Sequence, residues 1–157
     1  MFGQLNDQEI ETLFHQQIIG RIGCHADGVT YVVPVSYAYD GKHVYVHTYE
    51  GMKLDMMRKN PHLCFEVDDT HDLANWQSAI AWGEFEEVTD PETRRFGIQK
   101  LYERVLPFIT SSRMQMTPQW PFPTDDLNNI PGIIFRIELK NKTGRFERSD
   151  PQEYYAS

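Results

Sequence analysis

Hydrophobic and polar residues alternate most cleanly over residues 29–54, VTYVVPVSYAYDGKHVYVHTYEGMKL. Two runs of β-branched and aromatic residues flank Asp40-Gly41. Glycine tolerates the positive φ of a tight primed turn, so the pattern predicts a hairpin: strand 29–38, turn at Asp40-Gly41, strand 42–48. Past Gly51 the spacing becomes helical and predicts a helix to about Lys59. Asn60-Pro61 ends it, because proline disfavours the helical conformation in the residue before it. Upstream, Ile10, Leu13, Phe14 and Ile18 recur at helical spacing and predict a helix over 6–19. Asn6 opens it with Glu9 in a capping-box arrangement, and Gly20 stops it. His15 lies beside the apolar stripe as a surface or boundary histidine. A short strand over 20–26 reaches a second turn at Asp27-Gly28, so strands 20–26, 29–38 and 42–48 are expected to follow as a meander.

Beyond the second helix, His62 to Val67 reads as a fourth strand and Asp68 to Asn75 as a polar loop. Trp76 to Val88 forms a longer fifth strand with a bulge or bend at Gly83. Along it Ser78, Ile80 and Trp82 face one way, and Ala79 and Ala81 the other. Thr89 or Asp90 caps a third helix with Pro91 at its first position; Ile98, Leu101, Tyr102 and Val105 form its core stripe, and Pro107 closes it. Residues 107–131 hold five prolines and the aromatics Phe108, Trp120 and Phe122, without periodicity. Such a long loop is expected to cover a cleft or a partner subunit. A last strand over 132–139 precedes NKTGRFER and a polar tail. The sum is a mainly β, α+β fold: a six-stranded antiparallel barrel with flanking helices, one domain over residues 1–157.

The 40% hydrophobic and 13% aromatic content is that of a folded globular chain. A formal net charge of −8 argues against a general nucleic-acid or anionic-membrane surface, so any anion site must be a local positive pocket. No apolar run approaches the ~20 residues of a membrane span. The opening MFGQLNDQEIE lacks the layout of a signal peptide. Cys24 and Cys64 have no metal-type spacing and are expected as buried reduced thiols; a cytoplasmic location follows from these features together. Six histidines invite a metal, yet His43 and His47 are four apart on a strand and neither HExxH nor Cys-x-x-Cys occurs, so no metal site is assigned. Ser36 and Ser78 lack a nucleophile elbow, and neither GxGxxG nor a P-loop is present.

Two oddities carry the candidate chemistry. Lys53 sits in the first helical turn after Gly51, where the helix dipole favours an anion and not a cation. A phosphate held by the free N–H groups, the Thr48 hydroxyl and the Lys53 ammonium would resolve this; so would a surface lysine paired with Glu50 or Asp55. Pro34 interrupts a good strand and cannot donate to a ladder. That places the strand at an edge, at a bulge, or beside a ligand lying along Val33 to Ser36.

In combination, the order GRIG, YVVPVSYAYDGKHVYVHT, EGMKLDMMRKNPHLCFEVD and SAIAWGEFEEV resembles the flavin-binding split-barrel superfamily of pyridoxamine 5′-phosphate oxidase. It is most similar to the branch that includes nitroimidazole-resistance proteins. The resemblance covers residues 5–106 and the terminal strand ending in TGR. It implies FMN bound at a homodimer interface and a small aromatic or nitro-type substrate. By resemblance, Val32, Val33, Pro34, Val35 and Ser36 lie against the isoalloxazine edge, Lys53 binds the phosphate with Thr48 beside it, and Ser78 faces the flavin. His47 matches a histidine near the flavin and substrate, where it could supply a proton; a strand histidine satisfied by Tyr45 or the backbone is the plain alternative. The oxidases carry an Arg-Lys pair where this chain has Met52-Lys53, leaving Arg21 or Arg58 to compensate. Their substrate-binding C-terminal segment has no counterpart in TGRFERSDPQEYY, which argues against vitamin B6 oxidation. Relatives on this fold also bind haem or a deazaflavin, so a non-catalytic storage or sensing protein, with His43, His47 or His62 as iron ligands, is the alternative.

Overall fold

The computed structural model describes residues 1–109 and 129–149, the side chains of residues 105–109 excepted. In chain order the elements are β1 (Phe2–Gln4), α1 (Asp7–Gln16), β2 (Ile19–Ala26), β3 (Val29–Ser36), β4 (Ala38–Tyr39), β5 (His43–Thr48), α2 (Met52–Lys59), β6 (His62–Asp72), β7 (Asn75–Glu87), α3 (Pro91–Ile109) and β8 (Ile133–Glu147). The strands join in the order β3-β2-β6-β7-β8-β5-β4, with β1 adding to β8. Every pairing is antiparallel. β3 and β4 are neighbours in the chain but stand at opposite ends of the sheet, so the barrel is split at Tyr37. The result is a split-barrel-like α+β fold, with eight strands instead of six and three helices among the described residues.

The pleat sorts the side chains. Ile22, Cys24, Phe65, Val67, Ala79, Ala81, Val44, Val46 and Ile137 point inward and are buried. The apolar stripe of α1 (Ile10, Leu13, Phe14) and that of α2 (Leu54, Met56, Met57) close this core. α3 packs on the other face of β5, where Ile98 and Leu101 join Tyr45 and Ile134 in a second cluster. Cys24 is buried and Cys64 half-buried, and neither is in a disulfide.

The capping box at α1 forms as expected: the Asn6 side chain accepts from the Glu9 amide at 2.8 Å, and Glu9 accepts from the Asn6 amide at 2.8 Å. Asn6→Ala should therefore cost about 0.5–2 kcal/mol, read as a lower denaturation midpoint at unchanged far-UV spectrum. The predicted stop at Gly20 is corrected. α1 ends at Gln16, and Gly20 lies inside β2, where a side chain would overlap the Phe65 ring. Its lack of a Cβ serves packing and not termination. Ile18, read as part of the helix stripe, is 39% exposed.

The expected meander is half right. β2 and β3 pair along their whole length through the Asp27-Gly28 turn. β3 does not pair with β5: only Ala38 and Tyr39 do, and the remaining edge of β5 pairs with β8. β3 is thus an edge strand, which accommodates Pro34. The Asp68–Asn75 loop is also corrected. The β6–β7 ladder runs on to Asp72, whose carboxylate accepts from the Ala74 amide at 2.7 Å and makes the turn itself. The bulge at Gly83 is present, as a register shift against β8 between Trp82 and Gly83. Asp90 caps α3 by accepting from the Thr93 amide at 2.7 Å, and the helix runs two residues past Pro107. The last strand, expected over 132–139, runs on through NKTGRFE, with β7 on one edge and β1 pairing with its end on the other. Of the loop predicted over 107–131, residues 110–128 with Trp120 and Phe122, and the side chain of Phe108, lie outside the described residues.

Candidate functional site

The split in the sheet leaves a cleft where the edge of β3, the end of β5, the start of α2 and the inner face of α3 converge. Pro34, Val35 and Ser36 line it from β3, Val46 and His47 from β5, Lys53 from α2 and Leu101 from α3, around about 240 Å³. Five residues singled out in the sequence are therefore brought together: Pro34, Val35, Ser36, His47 and Lys53.

Lys53 is half-buried in the first turn of α2, whose Gly51 cap offers no side-chain hydrogen bond to the free amides. Burial holds its amine below the ordinary lysine value. Among the described residues no carboxylate pairs with it. The surface-pair alternative with Glu50 is overturned, since Glu50 is taken by the Arg58 guanidinium at 2.7 and 2.9 Å. Asp55 is two positions along the helix and faces elsewhere. A lysine desolvated at a helix N-terminus, without a counter-charge among the described residues, is a local positive site inside a protein of net charge −8.

His47 donates from Nε2 to the Pro131 carbonyl at 2.7 Å and packs edge-on against Tyr49, ring centres 5.3 Å apart. It is satisfied by the backbone, and not by Tyr45, which turns toward α3 and sends its hydroxyl to Asp40 at 3.3 Å. Thr48 is buried just behind the cleft and gives its hydroxyl to the Tyr49 carbonyl at 3.3 Å, so it does not line the space. Val33 packs partly on the core, and Val32 is 63% exposed on the outer face of β3.

Ser78 is placed elsewhere. It lies three strands from β3, where its hydroxyl donates to Glu66 at 3.1 Å. Glu66 and Asp68 in turn hold Arg21, at 3.2 and 2.6 Å. Arg58 is held by Glu50 and Glu87. Both arginines named as substitutes for the missing phosphate contact are thus engaged by carboxylates.

The ladder carries Pro34 and Ser36 of the cleft onto an open sheet face through their partners Arg21 and Ile19. Ile19, Val32 and Trp82 are exposed there, with Trp82 directly across from Cys64. His43, His47 and His62 do not converge. His43 lies beside Asp40 at the far end of β5, and His62 beside Glu84 on the outer face. Among the described residues no group of three His, Cys, Asp or Glu could hold a metal ion, and no helix is long and apolar enough to cross a membrane.

Leu101, Val46 and the turn at Pro131 also belong to the site. Helical and strand spacing mark Leu101 and Val46 only as ordinary core positions. Pro131-Gly132 signals a turn, but nothing local encodes that its carbonyl would meet a histidine 84 residues away.

A family model described as pyridoxamine 5′-phosphate oxidase matches residues 6–124. An uncharacterised protein of Rhizobium meliloti is 25% identical over 134 residues, covering 81% of this chain and 83% of its own. Among solved structures, an FAD-binding protein from Mesorhizobium loti superposes with a TM-score of 0.72 at 25% identity, covering 93% of this chain and 98% of that one. A putative 5-nitroimidazole antibiotic resistance protein from Bacteroides thetaiotaomicron superposes with a TM-score of 0.70 at 20% identity, covering 93% and 87%.

Proposed function

The chain belongs to the pyridoxamine 5′-phosphate oxidase family, and from that premise we propose that it is an FMN-binding oxidoreductase of a small aromatic or nitro-type substrate, working as a homodimer with the cofactor at the interface. The observation that carries the reading is Lys53: a desolvated ammonium at an uncapped helix start, facing a cleft. Its charge and the first amides of α2 hold the terminal phosphate. The backbone of Val33 to Ser36, on a strand with no neighbour on that side among the described residues, runs along the ring. His47 lies beside it as a group able to exchange a proton. The flavin, when bound, supplies the hydride and electron transfer.

The cleft's size supports the dimer. About 240 Å³ falls below the roughly 300–1,000 Å³ of a complete small-molecule site. It suits the phosphate and ribityl end, and leaves the ring to lie on the open face that continues from Pro34 and Ser36. Ile19, Val32 and Trp82 are exposed on that face, and a second copy would cover them.

The test is the visible spectrum of the purified protein, followed by that of the supernatant after heat denaturation. A yellow protein that releases FMN, and that runs at twice the chain mass by light scattering, is expected. Release of FAD would keep the flavin and change the cofactor. A haem spectrum, or a colourless protein that fails to take up added FMN, would overturn the reading. With FMN bound, screening nitroaromatic compounds under NADH or NADPH is expected to show turnover.

A further inference from the structure

We propose that the turn Ile130–Pro131–Gly132, clamped by Arg94, is the positioning device of His47, and that it fixes the neutral imidazole with its proton on Nε2. The placement of that proton does not rest on the flavin reading.

The argument starts from the Pro131 carbonyl, 2.7 Å from His47 Nε2. A carbonyl can only accept, so the nitrogen facing it must carry the hydrogen. In a neutral imidazole the other nitrogen then has the lone pair, and which tautomer exists is set by the hydrogen bond its partner makes. The carbonyl reaches this position because of the residue that follows it. Gly132 has φ of +98°, and a Cβ there would stand 2.7 Å from His47 Nε2 and 2.8 Å from the Thr48 carbonyl oxygen. No other residue fits both the backbone angle and the space.

The turn is also held from behind. Arg94, in the first turns of α3, donates to the Ile130 carbonyl at 2.7 Å and to the Gly132 carbonyl at 3.3 Å. Ile130 is buried in the second core cluster. Immediately after the turn, Ile133 and Ile134 enter β8 opposite Thr48 and His47. Three constraints therefore fix one carbonyl: a buried side chain on one side, a paired strand on the other, and a guanidinium across both flanking carbonyls. A histidine needing only to be satisfied would not require a turn secured at both ends. Arg94 is not among the residues lining the cleft and acts through the turn, so it is a positioning residue, not a catalytic one.

The experiment is ¹⁵N NMR of the purified full chain with labelled histidine, without added flavin, at pH 9 where an imidazole is neutral. His47→Gln assigns the signal among the six histidines. In the native protein the Nε2–H form is expected to exceed the Nδ1–H form by about tenfold or more, the bias one retained hydrogen bond provides. Arg94→Gln and Gly132→Ala should each reduce that ratio at least about threefold. Should Gly132→Ala fail to fold, Arg94→Gln decides alone. A native His47 protonated on Nδ1, or an Arg94→Gln protein that keeps the native ratio, would overturn the proposal. The spectrum reads the tautomer directly, so neither result depends on whether the cofactor assignment holds.

Discussion

Replacing Lys53 with alanine is expected to weaken FMN binding by about 10- to 100-fold in an equilibrium titration of flavin fluorescence, since a hydrogen bond to a charged group contributes roughly 1.5–3 kcal/mol. The ammonium is only half-buried, and solvent screening pulls the value toward the lower end of that range. The loss should not come from unfolding. A charge desolvated without a partner opposes folding, so the alanine variant without flavin should be no less stable than the native protein, and its denaturation midpoint checks this.

The same residue sets a pH dependence whose sign can be worked out. In the empty cleft burial holds the amine below its ordinary value of 10.5. A bound phosphate favours the ammonium and lifts it. Between the empty-site value and the liganded one, the complex carries more protons than the free protein, so affinity falls as pH rises through that window. At the acid end, affinity rises as the phosphate becomes a dianion near pH ~6. Lys53→Arg keeps its charge throughout and should lose the alkaline fall. Binding by Lys53→Ala within twofold of native, or an alkaline limb unchanged in Lys53→Arg, would remove Lys53 from the phosphate site.

The sequence was most legible where one signal had one physical cause. Asn6 with Glu9, Asp27-Gly28, Gly83 and Asp90-Pro91 each produced the cap, turn, bulge or helix start that their chemistry dictates. Lys53 stands out because a cation in a first helical turn runs against the dipole, whereas its pairing with Glu50 is decided by Arg58, which occupies that carboxylate. What stayed hidden was pairing between distant segments. A glycine that ends a helix and one that makes room for a phenylalanine read alike, and Gly20 is of the second kind. The alternation around Asp40-Gly41 fitted a long hairpin, yet Tyr37 diverts the chain and gives only Ala38 and Tyr39 to β5. Strand periodicity says which face a residue occupies and not which strand lies beside it. For that reason Ser78 could not be located relative to the cleft, and the Pro131 carbonyl could not be connected to His47.

Phe65→Ala is expected to cost about 3–5 kcal/mol in a urea titration, and the reason reaches back to the cleft. Phe65 is fully buried, with the Tyr37 ring edge-on at 4.9 Å and the Phe14 ring stacked at 6.1 Å. It also fills the space that Gly20 leaves on the neighbouring strand. Tyr37 stands at the split between β3 and β4, and its hydroxyl donates to the Phe14 carbonyl at 2.6 Å. The Phe65 ring is therefore the inner support of the point where the barrel opens. Gly20→Ala alone should cost about 1–3 kcal/mol by overpacking against that ring. Combined with Phe65→Ala, the added methyl enters the cavity, and the double variant should be more stable than the sum of the single costs by about 1 kcal/mol or more. FMN affinity should fall in Phe65→Ala although Phe65 does not line the cleft, because Val35 and Ser36 directly precede Tyr37 in the chain. A Phe65→Ala protein within about 1 kcal/mol of native would remove Phe65 as the support of the split, and strictly additive costs would remove its coupling to Gly20.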